Sequence, residues 1–171
     1  KQFHLFFGRI DKYKGIDILL SAFSQAQNHK YKLIIAGNGE LTSKEKELYD
    51  KVEDDVILIN RYISDEEMLW LFHHARSVVL PYIEATQSGV IPIAYKFGVP
   101  VIVSNVDGLT QFVDNGKTGF ICSREKDYVD ALRKLEIDTT RSVMSENAVQ
   151  YHLQHMNWKK NIAAVLDEIL T

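Results

Sequence analysis

Residues 8–15, Gly8-Arg9-Ile10-Asp11-Lys12-Tyr13-Lys14-Gly15, place two glycines and three cations between an apolar run and a segment of helical period. Glycine lets a backbone approach a ligand closely, an arginine can grip an oxyanion with two N–H groups, and a lysine adds a point charge. Gly8, Arg9, Lys14 and Gly15 therefore have the chemistry of a phosphate-binding turn, although the same composition also suits a solvated surface loop. A second stretch, Pro81-Tyr82-Ile83-Glu84-Ala85-Thr86-Gln87-Ser88-Gly89, is polar and small and runs into the apolar segment 90–97. Thr86, Gln87, Ser88 and Gly89 at a helix start would offer hydroxyl, amide and backbone N–H donors to a diphosphate. Glu84 would repel phosphate and fits there only if it faces a sugar hydroxyl or a developing cation. The plainer alternative makes Ser88 a simple helix cap and Glu84 a solvated carboxylate. A third turn, Ala36-Gly37-Asn38-Gly39-Glu40, permits positive φ at either glycine.

Other chemistries find less support. A dinucleotide fingerprint needs its glycines after the first strand with a third at helix spacing, and Gly37 and Gly39 meet neither condition. Gly116-Lys117-Thr118 precedes a strand, and Gln111 stands where a phosphate loop needs its first glycine, so the tripeptide reads as a turn. The six histidines show no metal-ligand spacing, and no metal is expected. His4, alternating with apolar neighbours, reads as a packed, hydrogen-bonded side chain. A nucleophile elbow is also missing.

The elements that must position these loops alternate. Short β-type runs at Phe3–Phe7, Lys32–Ala36, Val56–Asn60, Ser77–Leu80, Val101–Ser104 and Gly119–Cys122 are separated by stretches of helical period. This pattern predicts a doubly wound, Rossmann-like α/β fold: a parallel sheet of about six strands with helices on both faces. Thr42 with Glu45 and Ser64 with Glu67 have capping-box spacing and mark two helix starts. Ile16, Leu19, Leu20, Ala22 and Phe23 make one apolar stripe, and Met68, Leu69, Leu71 and Phe72 another. Beyond Cys122 the residues Asp127–Leu135, Arg141–Leu153 and Trp158–Leu170 read as successive helices. In open α/β sheets ligands sit beyond the carboxyl ends of the strands, where all three unusual turns fall.

At 171 residues the chain suits one domain, 1–171. A net charge of −3 gives no long-range attraction for polyanions, so nucleic acid is not an expected partner. Cys122 is the single cysteine, which excludes an internal disulfide and fits a reducing, cytoplasmic compartment. No apolar run approaches the length of a membrane span. The opening on a buried-strand pattern suggests a missing N-terminal half.

Taken together, Phe6-Phe7-Gly8-Arg9 with Lys14-Gly15, Ile34-Ile35-Ala36-Gly37-Asn38-Gly39, Asn60-Arg61-Tyr62-Ile63, Leu80-Pro81 with Glu84, Gly98-Val99-Pro100-Val101 and Asn115-Gly116-Lys117-Thr118-Gly119-Phe120 resemble, in order and spacing, the C-terminal domain of retaining GT-B glycosyltransferases of group 1 (family 4 type). The match spans nearly the whole chain, as one half of a GT-B fold. The resemblance implies that Arg9 and Lys14 hold the diphosphate of a nucleotide-sugar donor and that Glu84 lies at the donor sugar. It places Gly8, Gly37, Thr86, Gln87, Ser88 and Gly89 around the donor, and Arg61, Tyr62 and Ile63 against the base. Such enzymes have a further glutamate for the ribose; Pro92, or Ile93 in an alignment anchored on Gly98 and Pro100, stands there instead. The usual glycine-aromatic-glycine is changed to residues 85–89.

The implied activity is retaining transfer of a hexose to a glycan or lipid-linked acceptor in cell-surface polysaccharide assembly, without an obligatory metal or other cofactor. The acceptor would come through the missing N-terminal domain, so this domain alone would be inactive. The full-length protein would work in the cytoplasm, with peripheral association at the cytoplasmic face of the membrane, and the segment from Trp158 would cross back to the other domain. The alternatives are a non-catalytic nucleotide-sugar-binding module and another GT-B reaction, sugar-nucleotide epimerisation or phosphorolysis.

Overall fold

The computed structural model describes residues 2–26 and 29–156. Within them six strands, β1 (Phe3–Phe7), β2 (Lys32–Gly37), β3 (Val56–Asn60), β4 (Ala75–Leu80), β5 (Val101–Ser104) and β6 (Gly119–Cys122), form one parallel sheet in the order β3-β2-β1-β4-β5-β6. Parallel strands covered on both faces carry continuous apolar runs: Leu5, Phe6, Leu33, Ile35, Val78, Val79, Leu80 and Val101–Val103 are all fully buried. The expected doubly wound sheet is present. β4 begins two residues earlier than the apolar run alone suggests, because Ala75 pairs with Phe3 of β1, with Arg76 at an irregularity before His4 pairs with Ser77.

The helices are α1 (Ile16–Ala26), α2 (Ser43–Asp50), α3 (Asp65–His74), α4 (Val90–Lys96), α5 (Asp107–Thr110), α6 (Glu125–Leu135) and α7 (Asp138–Tyr151). Right-handed crossovers send α1 and α2 to one face and α3 and α4 to the other, because the chain steps outward from β1 in opposite directions. α1 packs against α2 and α6, while α4 packs against α7. The stripe read from the sequence buries Ile16, Leu19, Leu20, Ala22 and Phe23. Of the second stripe only Leu71 and Phe72 are buried; Leu69 stands exposed on α3.

Both predicted capping boxes form. Thr42 Oγ1 accepts from the Glu45 N–H at 3.3 Å while Glu45 returns a bond to the Thr42 N–H at 2.6 Å, and Ser64 and Glu67 repeat the exchange at 3.3 and 3.0 Å. α6 starts at Glu125, ahead of its apolar stripe, because the Asp127 carboxylate accepts from the Ser123 and Arg124 N–H groups. α7 likewise begins at Asp138, and residues 152–156 continue it as a π-helical turn. The predicted helix from Trp158 lies outside the described residues. Gly116-Lys117-Thr118 is the turn into β6 that was expected, with the Gly116 N–H donating to the Gly119 carbonyl at 2.8 Å.

At the amino ends of the strands a polar cluster is sealed inside. His4 is fully buried and its Nδ1 lies 2.7 Å from Ser77 Oγ; burial first, then nearby His29 and Arg76, pushes its pKa down to about 3. Arg76, 3% exposed, closes the carboxyl end of α6. Its Nε donates to the Leu135 carbonyl at 2.6 Å, its Nη2 to the Glu136 carbonyl at 3.0 Å and to Asp138 at 2.6 Å. The guanidinium also lies 4.1 Å from the Tyr31 ring centroid.

At the opposite ends of the strands the loops are locked to each other by backbone. The Gly8 N–H donates to the Ala36 carbonyl and the Ile10 N–H to the Asn38 carbonyl, each at 3.0 Å. Gly15 adopts φ +65°, and a side chain there would run into the Pro81 carbonyl. Gly15→Ala should therefore destabilise the fold by roughly 3 kcal/mol in urea unfolding, the cost of left-handed backbone plus a carbonyl that must move. Arg76→Met, which leaves two α6 carbonyls without their donor, should cost about 2 kcal/mol in the same measurement.

Candidate functional site

β1 and β4 are neighbours whose following helices leave toward opposite faces, so their loops part and open a crevice at the switch point of the sheet. Three contacts keep that crevice narrow. Gly15 abuts the Pro81 carbonyl, the Ile83 N–H donates to the Tyr13 carbonyl at 2.8 Å, and Ser104 Oγ donates to the Tyr82 carbonyl at 2.5 Å. From α5 Gly108 presses on the backbone of Ala85 and Thr86, a packing only a glycine permits.

Lys14 projects into the junction. Its Nζ lies 3.6 Å from the centroid of the buried Tyr82 ring and 4.8 Å from that of Tyr13. Burial lowers the Lys14 pKa from its ordinary value, with Arg9 adding to the effect and Asp11 opposing it. Arg9 is exposed on the preceding turn, beside Gly8 with its φ of +136°. Glu84 is exposed and lines, with Tyr13, Ala85 and Thr86, an open cavity of about 340 Å³. The two loops singled out in the sequence, one cationic and one polar with a carboxylate, are thus brought together.

Ser88 Oγ accepts from the Val90 N–H at 3.3 Å, with Gly89 as the residue before the helix. The plainer reading made Ser88 the helix cap, but Gly89 holds that position and Ser88 stands one residue earlier, where it also hydrogen-bonds the Tyr82 hydroxyl. Thr86, Gln87 and Gly89 are exposed along the same loop. Gly37 is buried with φ +154°, and a side chain there would strike the Gly8 carbonyl, so its task is to let the first two loops touch.

The three residues expected against the base after β3 have different surroundings. Arg61 is committed: its guanidinium grips the Glu67 carboxylate at 2.6 and 2.9 Å and donates to the Tyr62 carbonyl at 3.0 Å. Those bonds, followed by the Ser64 N–H, hold the Glu67 pKa at about 2. Ile63 is buried, whereas Tyr62 is 77% exposed and is the member whose ring is open to contact. Reading side chains one at a time could not reveal that the capping glutamate of α3 would capture Arg61.

Two features were missed in the sequence. Tyr82, an aromatic in a loop scanned for donors, is the ring on which Lys14 rests. A larger cavity of about 470 Å³ borders the same segment from the β5 and β6 side, lined among others by Ile83, Ser104, Asn105, Arg124 and Tyr128. No local motif announces it, since its walls come from α1, α6 and the loops after β4, β5 and β6. No helix among the described residues is long and apolar enough to cross a membrane.

Comparison with known proteins agrees with this geometry. The family model for glycosyl transferases group 1 matches residues 1–151. The D-inositol 3-phosphate glycosyltransferase of Corynebacterium aurimucosum is 26% identical over 164 residues, which take in 90% of this chain and 39% of that protein. Among solved structures, the C-terminal domain of the group 1 glycosyl transferase LpcC from Francisella tularensis superposes with a TM-score of 0.80 at 18% identity, covering 92% of this chain and 87% of the other. Anabaena HepE, solved in complex with UDP, gives 0.79 at 20% identity, covering 98% and 49%. The chain spans less than half the length of the curated relatives it matches. The fold is that of one half of a GT-B protein, and the chain belongs to the glycosyl transferases group 1 family.

Proposed function

We propose that this chain is the donor-binding half of a retaining GT-B glycosyltransferase, which takes a nucleoside-diphosphate sugar and delivers a hexose to a glycan or lipid-linked acceptor in cell-surface polysaccharide assembly. The observation that carries the reading is the junction of the β1 and β4 loops at the carboxyl ends of the strands, where Lys14 rests on Tyr82 and Tyr13 lines one cavity with Glu84. The UDP held by a structural relative supports a nucleotide donor.

Cleavage of a glycosyl phosphate bond leaves a diphosphate anion and passes through a sugar with oxocarbenium character. In this proposal Arg9 and Lys14 neutralise the leaving diphosphate, while the hydroxyls and N–H groups of Thr86, Gln87, Ser88 and Gly89 bind its oxygens or the sugar. Glu84 faces the sugar, where a carboxylate stabilises developing positive charge. Fixed cations do the work a divalent metal does elsewhere, so no obligatory metal or other cofactor is proposed. Tyr62 would offer its ring to the base. The acceptor would be held by an N-terminal domain, so the isolated chain would bind donor and transfer little. A cytoplasmic enzyme working at the membrane face is the matching location.

Calorimetric titration of the chain with UDP, GDP and ADP at low salt tests this. Selective binding of one of them should weaken by roughly a hundredfold in the Arg9→Ala, Lys14→Ala double variant, as expected for two charge-assisted contacts; no binding of any by the unaltered chain would overturn the reading. Because burial lowers the Lys14 pKa, the charged form is lost at a lower pH than for an ordinary lysine. Affinity should accordingly fall as pH rises toward the range where an ordinary lysine titrates, and Lys14→Arg, which keeps its charge there, should remove that fall.

A further inference from the structure

A half-buried ammonium in a protein ordinarily has a carboxylate partner, because desolvation without compensation is costly. Among the described residues Lys14 is in no ion pair. The Asp11 carboxylate acts on it without forming an ion pair, and its close contacts are aromatic: Tyr82 presents its ring face at 3.6 Å and Tyr13 at 4.8 Å. Tyr82 is itself fixed from several sides. It is 2% exposed, its carbonyl accepts from Ser104, its hydroxyl bonds Ser88, and the next residue ties back to Tyr13 through its N–H. The ring therefore cannot swing away without disturbing the loops after β1, β4 and β5.

We propose that Tyr82 is a positioning residue for the donor diphosphate: its ring face holds the Lys14 ammonium in place without neutralising it. The inference rests on the donor-site reading above. A carboxylate in that position would hold the lysine equally well, but it would cancel the charge and repel an incoming diphosphate. A π face attracts a cation through its quadrupole, carries no net charge, and leaves the N–H groups directed outward for phosphate oxygens. The hydroxyl adds a second function by joining the ring to Ser88, so one side chain links the cationic turn to the polar loop.

Electronic tuning of the ring separates this role from simple packing. Tyr82→Phe keeps the ring face, and 3,4,5-trifluorophenylalanine at position 82 keeps the shape of phenylalanine while draining the face of negative potential. Binding of UDP and of inorganic pyrophosphate by the 171-residue chain would be measured by calorimetry for both. The Lys14 ε-methylene signal, followed by NMR, reports from its ring-current shift whether the lysine still sits over the ring. The fluorinated chain should bind both probes about fivefold more weakly than Tyr82→Phe and show a relaxed Lys14 shift, which packing alone would not produce. Equal affinity of the two substituted chains, with the unaltered chain binding and the Arg9→Ala, Lys14→Ala variant impaired, would overturn this inference and leave the donor-site reading standing. An unaltered chain that binds no diphosphate would overturn both.

Discussion

Everything at the ligand end of this molecule depends on how closely the loop after β1 can approach the loop after β4. The two strands are hydrogen-bonded neighbours, but their helices depart to opposite faces, so the loops would diverge if nothing held them. Contact between Gly15 and the Pro81 carbonyl, with the bond from Ile83 to Tyr13, closes that gap at the backbone level. The price is a residue in left-handed conformation at position 15, which glycine adopts without strain. With the loops joined, Lys14 lies over Tyr82, and Glu84 shares a cavity with Tyr13.

The two ends of the sheet use cations in opposite ways. At the amino ends, Arg76 is saturated by two carbonyls and a carboxylate, and the buried His4 stays neutral beside Ser77. Arg76 and its partners hold α6 and α7 to the sheet. Arg61 belongs with them, since Glu67 occupies both arms of its fork. At the carboxyl ends, Arg9 is exposed and Lys14 rests on aromatic rings, so positive charge there remains available to an anion. Cations with their partners already in place build the scaffold, and cations in no ion pair among the described residues mark the candidate site.

Much of this was legible in the chain. Apolar runs of strand length, separated by helical period, are enough for a parallel sheet, because a strand covered on both faces must be apolar throughout. Thr42 with Glu45 and Ser64 with Glu67 were readable as helix starts because a capping box is a local exchange of bonds between residues three apart. The start of α6 was misplaced by two residues because its cap, Asp127 accepting from Ser123 and Arg124, reverses the usual order of acceptor and carboxylate. Within the candidate site, the glycines and cations of residues 8–15 and the polar run 84–89 were visible as types. Nothing in the segment of Arg61 itself shows that Glu67 turns back toward it.

What the sequence determined by itself was the set of elements, the turns that can take positive φ and the loops with chemistry suited to a diphosphate and a sugar, since these follow from side-chain type and short-range spacing. Tertiary structure alone decided which of those groups meet. It seated Lys14 on Tyr82 across 68 positions of chain (82 − 14), withdrew Arg61 into an ion pair and shaped a cavity from loops after β4, β5 and β6. The physical reason is that strand order and crossover handedness bring distant loops to one edge of the sheet, and the energy of their contacts exists only once those loops are side by side.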